Sequence, residues 1–78
     1  VEDLAFRSVR ARLTRQLLAE AAGGAAELTH QELAERTATV REIAGRALRR
    51  LAEEGLVRLE RGRVIVLDQA GLARVVEE

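Results

Sequence analysis

The chain has 78 residues, and its 13 arginines are balanced by 13 acidic residues, so the formal net charge is zero. It contains no lysine, cysteine, proline or methionine and one aromatic residue, Phe6. A chain of this length buries only about 60% of its unfolded surface, which leaves little room for an enzyme cleft beside a supporting core. The absence of cysteine excludes disulfides, thiolate metal sites and a cysteine nucleophile within these residues.

The first residues and the apolar runs of the sequence indicate where the protein is located in the cell. Apolar runs such as Val64 to Leu67 are far shorter than the roughly 20 residues that span a bilayer, so we expect no membrane segment. The acidic start does not fit the basic opening of a signal peptide, which predicts a cytoplasmic protein. Since no methionine stands first, we expect residues 1–78 to be one domain of a longer protein.

A long amphipathic helix is predicted from Glu2 to Ala22. Its apolar residues recur at intervals of three and four, at Phe6, Val9, Leu13 and Leu17. Gly23-Gly24 ends it. Arg7, Arg10, Arg12 and Arg15 lie largely on other faces. We predict that these arginines are solvated, and the alternative is a contact with another subunit or domain.

Two capping-box patterns, ten residues apart, predict a pair of helices. In each, a threonine precedes a glutamate by three residues: Thr29 with Glu32, and Thr39 with Glu42. The first helix is predicted to end near Thr37, and the second to span about residues 39–54 before Gly55. Two capped helices with a break of three or four residues have the spacing of a helix-turn-helix.

The apolar period changes after Gly55. Segments 56–60 and 63–67 are rich in Val, Leu and Ile and flank Arg61-Gly62, a pattern that predicts a β-hairpin. Asp68 is predicted to cap a last helix from Gln69 to about Val76. The predicted fold class is therefore mainly α with a small β-hairpin: a winged helix-turn-helix of helix, helix pair, hairpin wing and short C-terminal helix.

The second motif helix has two separate faces when its residues are placed at about 100° intervals. The apolar side is formed by Val40, Ile43, Ala44, Ala47, Leu48 and Leu51, and the polar side by Arg41, Glu42, Gly45, Arg46, Arg49 and Arg50. Arginine can donate two hydrogen bonds to guanine, and glutamate can accept one from cytosine. The polar side therefore suits the major groove, and the alternative is a solvated surface with pairs such as Glu42 and Arg46.

Position along this helix separates the predicted roles. Arg41, Glu42 and Arg46, near the N-terminus, are predicted to reach base edges. Arg49 and Arg50, further along, are predicted to lie near phosphates. Gly45 lacks a side chain where the helix backbone would approach DNA closely.

Residues 28–57, LTHQELAERTATVREIAGRALRRLAEEGLV, strongly resemble the C-terminal DNA-binding domain of the CRP/FNR superfamily of bacterial transcription regulators. The matching residues include Leu28, Thr29, Glu32, Leu33, Ala34, Arg41, Glu42, Gly45, Arg46, Leu48, Leu51, Leu56 and Val57. The resemblance implies that Arg41, Glu42 and Arg46 read a half-site that contains guanine. It also implies phosphate contacts for Thr29 and Gln31, and helix-end amides independently favour an anion there.

Three departures from the family pattern fall at the turn and the helix start. Ala38 replaces the usual turn glycine, so the turn either avoids a positive φ or accepts a modest penalty. Val40 replaces a serine that would cap the helix and contact phosphate, and we predict that Thr39 takes over both tasks. Ile43 replaces a threonine. Arg61 and Arg63 at the hairpin tip are predicted to contact flanking phosphates, with a solvated turn as the alternative.

The resemblance also implies partners. They are double-stranded DNA with a pseudo-palindromic operator, a second copy of the chain joined through an N-terminal region, and RNA polymerase. No cofactor is expected in these 78 residues; an effector such as a cyclic nucleotide, haem or an iron–sulfur cluster would bind an N-terminal sensor domain. For His30 we predict a phosphate or solvent contact rather than a metal or catalytic role, since it has no second ligand or nucleophile partner.

Two other function classes are weighed against DNA binding. A winged helix that binds protein should expose apolar anchors on the helix face, and this face has none. An enzyme is disfavoured because no nucleophile, base and orienting group occur together. The neutral total also conceals a division, because residues 36–50 carry a charge of +4, residues 58–63 carry +2 and the remainder carries −6. The sequence thus argues only against an indiscriminate binder of nucleic acid.

Overall fold

The computed structural model describes residues 4–21 and 23–77. In chain order it contains α1 (Leu4–Glu20), β1 (Ala25–Ala26), α2 (His30–Arg36), α3 (Arg41–Glu53), β2 (Val57–Glu60), β3 (Arg63–Val66) and α4 (Gln69–Glu77). This architecture confirms the predicted winged helix-turn-helix, with α2 and α3 as the helix pair and the hairpin β2–β3 as the wing. The predicted ends of the first helix, Glu2 and Ala22, lie outside the described residues.

Helix α1 is joined to the helix pair by two of its arginines. Arg10 donates from Nη2 to Glu54 at the end of α3, and its side chain is only 15% exposed. Arg12 donates from Nε and Nη2 to the Thr37 carbonyl at 3.3 and 3.1 Å. The prediction of a solvated arginine face is wrong for these two residues, because the end of each motif helix supplies an acceptor within reach of α1.

Helix α2 begins with the predicted capping box. The Thr29 hydroxyl accepts from the Glu32 amide at 3.1 Å, while the Thr29 amide donates to the Glu32 carboxylate at 2.8 Å. Two amides that lack partners at a helix start are thereby satisfied. At the other end, the buried Thr37 hydroxyl donates to the Leu33 carbonyl at 2.7 Å. Both ends of this short helix are therefore fixed by local hydrogen bonds.

The start of α3 corrects the second capping-box prediction. Val40, with φ −99° and ψ 158°, occupies the N-cap position and makes no side-chain cap hydrogen bond. The Thr39 amide instead donates to the Ala34 carbonyl at 2.9 Å, which ties Thr39 to the end of α2. Thr39 is thus one residue too early to cap. The second motif helix, α3, runs over Arg41–Glu53 rather than 39–54.

Ala38 adopts a φ of +56°, and it is the one non-glycine residue with a positive φ in the described part of the chain. This is the position at which the family usually has glycine. A left-handed conformation costs an L-residue about 1 to 2 kcal/mol because its Cβ approaches the following carbonyl oxygen. The turn therefore keeps its geometry and accepts the penalty.

Replacement of Ala38 by glycine is expected to stabilise the domain by roughly 0.5 to 1 kcal/mol, because glycine adopts a positive φ without steric cost. The gain is smaller than the strain since glycine loses more backbone entropy on folding. Thermal unfolding of the variant measures the effect, with Ala73→Gly in α4 as a control that should be destabilising. An Ala38→Gly variant that is less stable than the parent chain would contradict this account of the turn.

The wing is part of a three-stranded antiparallel sheet in the order β1-β3-β2. The strands β2 and β3 pair from Val57 with Val66 to Glu60 with Arg63. Between them Gly62 has a φ of +77°, which accounts for glycine in this tight turn. The strand β1 was not predicted, because two alanines carry no alternating pattern. It pairs with β3 at Ile65 and Val64, so it is the edge strand on the side of β3 away from β2.

The core lies between the four helices and the sheet, and it fixes which side of α3 faces outward. The Asp68 carboxylate caps α4 by accepting from the Gly71 amide at 2.9 Å, as predicted. The α3 residues Ala44, Ala47, Leu48 and Leu51 are fully buried. They pack in one cluster with Leu13 and Leu17 of α1, Leu33 of α2, Val57 and Val64 of the wing and Leu72 of α4. The opposite face of α3 is left to solvent.

Candidate nucleic-acid interface

The outward face of α3 carries the arginines that the sequence assigns to DNA. Arg41, Glu42, Arg46, Arg49 and Arg50 are all exposed, and they lie opposite the buried stripe. The predicted division of this helix into two faces is confirmed except at Val40, which the sequence assigns to the apolar side but which is 60% exposed because it precedes the first turn of α3. The first turn contains the acidic Glu42, and the last turn contains the basic Arg50, an arrangement that favours the helix dipole at both ends.

An open cleft of about 390 Å³ runs along this face. It is lined by His30, Arg41, Glu42, Gly45, Arg46 and Arg49. Gly45 is buried at its floor, and a Cβ placed there would lie 3.5 Å from both Arg49 Nη1 and His30 Nδ1, which are ordinary contact distances. The fold itself therefore does not require glycine at this position.

A second open cleft, of about 370 Å³, lies between the start of α2 and the wing. It is lined by Leu28, Thr29, His30, Arg41, Leu59, Glu60, Arg61 and Gly62. His30 and Arg41 belong to both clefts, so the two form one continuous surface from α3 to the tip of the wing. Arginines from α3 and from the wing thus line a single concave face.

The carboxylate of Glu60, at the end of β2, binds two arginines of the wing, Arg58 and Arg63. Arg63 donates from Nε to Glu60 at 3.0 Å, and Arg58 donates to the same carboxylate at 3.1 Å. The hydrogen bond from Arg63 lowers the pKa of Glu60 below its usual value, with a smaller contribution from the charge on Arg58. Arg63 also lies 3.8 Å from the Glu27 carboxylate. Of the two predicted wing arginines, Arg61 lines the cleft and Arg63 is engaged in ion pairs.

Two further predicted residues do not line either cleft. Gln31 is exposed on α2 and donates to Glu35 at 3.2 Å. Thr39 is half-buried at the turn, with its amide bonded to Ala34. The structure thus brings together Thr29, Arg41, Glu42, Gly45, Arg46, Arg49 and Arg61, and it leaves Gln31, Thr39 and Arg63 at the margin.

His30 occupies the centre of this surface and is half-buried. Burial lowers the pKa of His30 below its usual value of 6.5, and the positive charges of Arg41 and Arg49 lower it further. Its imidazole is therefore largely neutral near pH 7. Within residues 4–21 and 23–77, no group of three His, Cys, Asp or Glu side chains lies close enough to hold a metal ion.

Arg46 has a contact that sequence reasoning missed. Its guanidinium carbon lies 4.7 Å from the centroid of the Phe6 ring, which belongs to α1. Such a distance is typical of a cation–π interaction. The available signal was that Phe6 is the one aromatic residue of the chain. Periodicity assigns Phe6 only to the apolar face of its helix.

The chain is similar to a set of bacterial regulators. The Crp-like helix-turn-helix domain family matches residues 4–75. The catabolite activator protein of Thermus thermophilus is 38% identical, with a TM-score of 0.86 over 95% of this chain and 36% of its own. A CRP-family transcriptional regulator, also from Thermus thermophilus, is 31% identical, with a TM-score of 0.81 over 95% of this chain and 44% of its own.

A transcriptional regulator of the CRP/FNR family from Eubacterium rectale ATCC 33656 is 29% identical, with a TM-score of 0.83 over 99% of this chain and 35% of its own. The present chain therefore spans 35% to 44% of the length of these three proteins. A comparison with curated proteins found no match. No helix in the described part of the chain is long and apolar enough to cross a membrane.

Proposed function

This chain belongs to the Crp-like helix-turn-helix domain family, and we propose that it is the sequence-specific DNA-binding domain of a dimeric, effector-controlled transcription regulator. The observation that carries the proposal is the continuous arginine-lined surface over α3, the start of α2 and the wing. A helix with one buried apolar face and one exposed arginine face fits the major groove. The wing beside it would follow the neighbouring phosphates.

The proposed roles follow position on this surface. Arg41, Glu42 and Arg46 read base edges from the first two turns of α3, where a recognition helix enters the groove. Thr29, Gln31, Thr39, Arg49, Arg61 and Arg63 contact phosphates, and Gly45 allows DNA to approach the helix backbone. Arg63 would exchange its ion pairs with Glu60 and Glu27 for phosphate contacts, so its net contribution should be smaller than that of Arg61.

The distribution of charge supports a specific rather than an indiscriminate binder. Segment 36–50, which runs from the end of α2 through the turn and most of α3, carries a net charge of +4, and segment 58–63 of the wing carries +2, while the rest of the chain, including Glu53 at the end of α3, carries −6. Attraction to DNA is thereby concentrated on the proposed surface, and the acidic remainder reduces contacts in other orientations.

We further propose that two copies, joined through a region outside this chain, bind a pseudo-palindrome with half-sites about 34 Å apart. We propose that the same region binds the effector. The regulator would act in the cytoplasm and would contact RNA polymerase. A single domain should bind weakly, because it makes half of the phosphate contacts and lacks the gain from simultaneous binding.

Use of the same surface for protein binding is less well supported. A protein-binding face needs a cluster of apolar anchors. Among the large apolar residues that the structure describes, those classed as exposed are Val40, 60% exposed at the start of α3, and Leu67, 54% exposed after the wing. A single valine among arginines is not such a cluster.

Selection from a random DNA pool, followed by titration at two salt concentrations, tests the proposal. We expect an enriched half-site that contains guanine and an affinity that falls steeply with salt, since each neutralised phosphate releases counterions. Arg49→Gln should reduce the salt dependence by about one phosphate contact. The matched control is Arg74→Gln, on an exposed part of α4 that lines neither cleft. Binding without salt dependence or sequence enrichment would disprove the proposal.

His30 is expected to make DNA binding dependent on pH. In the free protein, burial and the charges of Arg41 and Arg49 lower the pKa of His30 below 6.5, and nearby phosphates would raise that pKa in the complex. Binding then takes up a proton, and affinity rises as the pH falls through the pKa of the bound state, until the free protein is itself protonated. Affinities of the parent chain and His30→Gln at pH 8 and pH 6 measure this, and the difference between the pH values should be smaller in the variant.

Folding should respond to the same group with the opposite sign. Because the folded-state pKa of His30 lies below 6.5, the unfolded chain binds the proton more tightly. Stability is therefore full above pH 6.5 and is lost as the pH falls through the folded-state pKa. Equal pH dependence in the parent chain and the glutamine variant, for binding and for unfolding, would show that His30 does not contribute.

A further inference from the structure

We propose that Phe6 is a positioning residue for base recognition: its ring holds the Arg46 guanidinium in the orientation in which Arg46 meets its base pair. This inference rests on the proposed function, because it assigns Arg46 to base reading. It concerns a residue of α1, outside the helix-turn-helix. The contact is the 4.7 Å approach of the guanidinium carbon to the ring centroid.

The two side chains differ in freedom. Phe6 is half-buried and packs against the hydrophobic core, so its ring has a fixed support. Arg46 is exposed, and among the described residues no carboxylate forms a salt bridge with it. In contrast, Arg50 on the same helix has Glu54 at 3.6 Å. The ring is therefore the principal restraint on the Arg46 head group.

Stacking and base recognition are compatible because they use different parts of the guanidinium. The group is planar, its five N–H donors lie in the plane, and its faces can stack on an aromatic ring. A guanidinium that rests on Phe6 keeps the donors free for guanine. An arginine side chain has considerable rotamer freedom, so a group held before binding loses less of it when the base contact forms.

The expected magnitude follows from exposed cation–π pairs. Loss of such a pair corresponds to about a two- to five-fold change in an equilibrium constant. Phe6→Leu should therefore weaken binding to the preferred half-site by about that factor. The loss should fall at the base pair that Arg46 reads and should be much smaller on sequences altered at that position.

The first measurement is made on the free protein and does not depend on DNA. The Phe6 ring current should displace the NMR signals of the Arg46 side chain, and Phe6→Leu should remove the displacement. Phe6→Tyr, which retains the aromatic face, should keep it. Arg46 signals that are unchanged by Phe6→Leu would overturn the proposal, whatever the chain binds.

The second measurement is a double-mutant cycle of Phe6→Leu and Arg46→Ala on the preferred half-site and on duplexes altered at one base pair. We expect Phe6→Leu to have no effect once Arg46 is absent, and Phe6→Tyr to restore discrimination. If Arg46→Ala relaxes one position while Phe6→Leu leaves it unchanged, the positioning role is wrong and the proposed function stands. If the parent chain selects no sequence, the proposed function fails and the positioning role fails with it.

A general loss of folding is separated from positioning by two controls. Thermal unfolding reports whether Phe6→Leu destabilises the domain. A destabilised variant binds all sequences less well in proportion to its unfolded fraction, so its ratio of affinities between preferred and altered duplexes stays constant. A changed ratio supports positioning, and a constant ratio contradicts it.

Discussion

Arg46→Ala is expected to weaken binding to the preferred half-site by about 1 to 3 kcal/mol and to relax specificity at one base pair. Arg46 is exposed on the first two turns of α3 and lines the cleft over Gly45. From this position Arg46 can donate two hydrogen bonds to guanine O6 and N7, and the alanine variant would leave both acceptors without a partner. Thermal stability should change little, because removing an exposed arginine leaves the core intact.

The matched control is Arg50→Ala, which removes the same side chain from the same helix. Arg50 is exposed, lines neither cleft and lies 3.6 Å from Glu54. Its loss should weaken binding slightly and equally on all sequences. Affinities for the preferred duplex and for the three alternatives at each position distinguish the two variants. An equal loss on every duplex after Arg46→Ala would assign Arg46 to a phosphate.

Local hydrogen bonding explains which parts of the fold could be predicted from the sequence. The capping box of Thr29 and Glu32 needs partners only three residues apart, and it was predicted with its bounds nearly right. The wing turn was predictable because glycine at position 62 fits a positive φ. The strand β1 is stabilised by pairing with β3, some 40 residues later, and its two alanines carry no local signal of that partner.

The turn between the motif helices shows how the packing of α2 can override a local pattern. Thr39 and Glu42 have capping-box spacing, yet the Thr39 amide is bonded to Ala34 and α3 begins after Val40. The left-handed Ala38 ends α2, and the amides of Ala38 and Thr39 donate back to the Glu35 and Ala34 carbonyls, as in a Schellman motif. The sequence pattern does not contain this competition, so the predicted start was two residues early.

The candidate site was predictable as a set of exposed residues but not in its contacts. A helical wheel needs only the period of the helix, and it places Arg41, Glu42 and Arg46 on the outward face. The contacts of Arg46 with Phe6 and of Arg12 with Thr37 join residues 40 and 25 positions apart. Such pairs depend on how α1 crosses the helix pair, which periodicity within one segment does not reveal.

Leu48→Ala is expected to destabilise the domain by about 2 to 5 kcal/mol, the range for a fully buried leucine. Leu48 is 0% exposed and lies on the inner side of α3, opposite the exposed arginines. A domain of this length has a stability of roughly 4 to 12 kcal/mol, so the change removes a large part of it. Each lost kcal/mol should lower Tm by about 4 to 8 °C.

Leu67→Ala is the control for Leu48→Ala, because Leu67 is 54% exposed and its truncation should change stability by less than about 0.5 kcal/mol. Together with Arg46→Ala, the pair separates the two faces of α3. At a temperature where Leu48→Ala is still folded, its discrimination between duplexes should match that of the parent chain. If Leu48→Ala lost discrimination while folded, the inner face of α3 would also determine which bases the outer face reads.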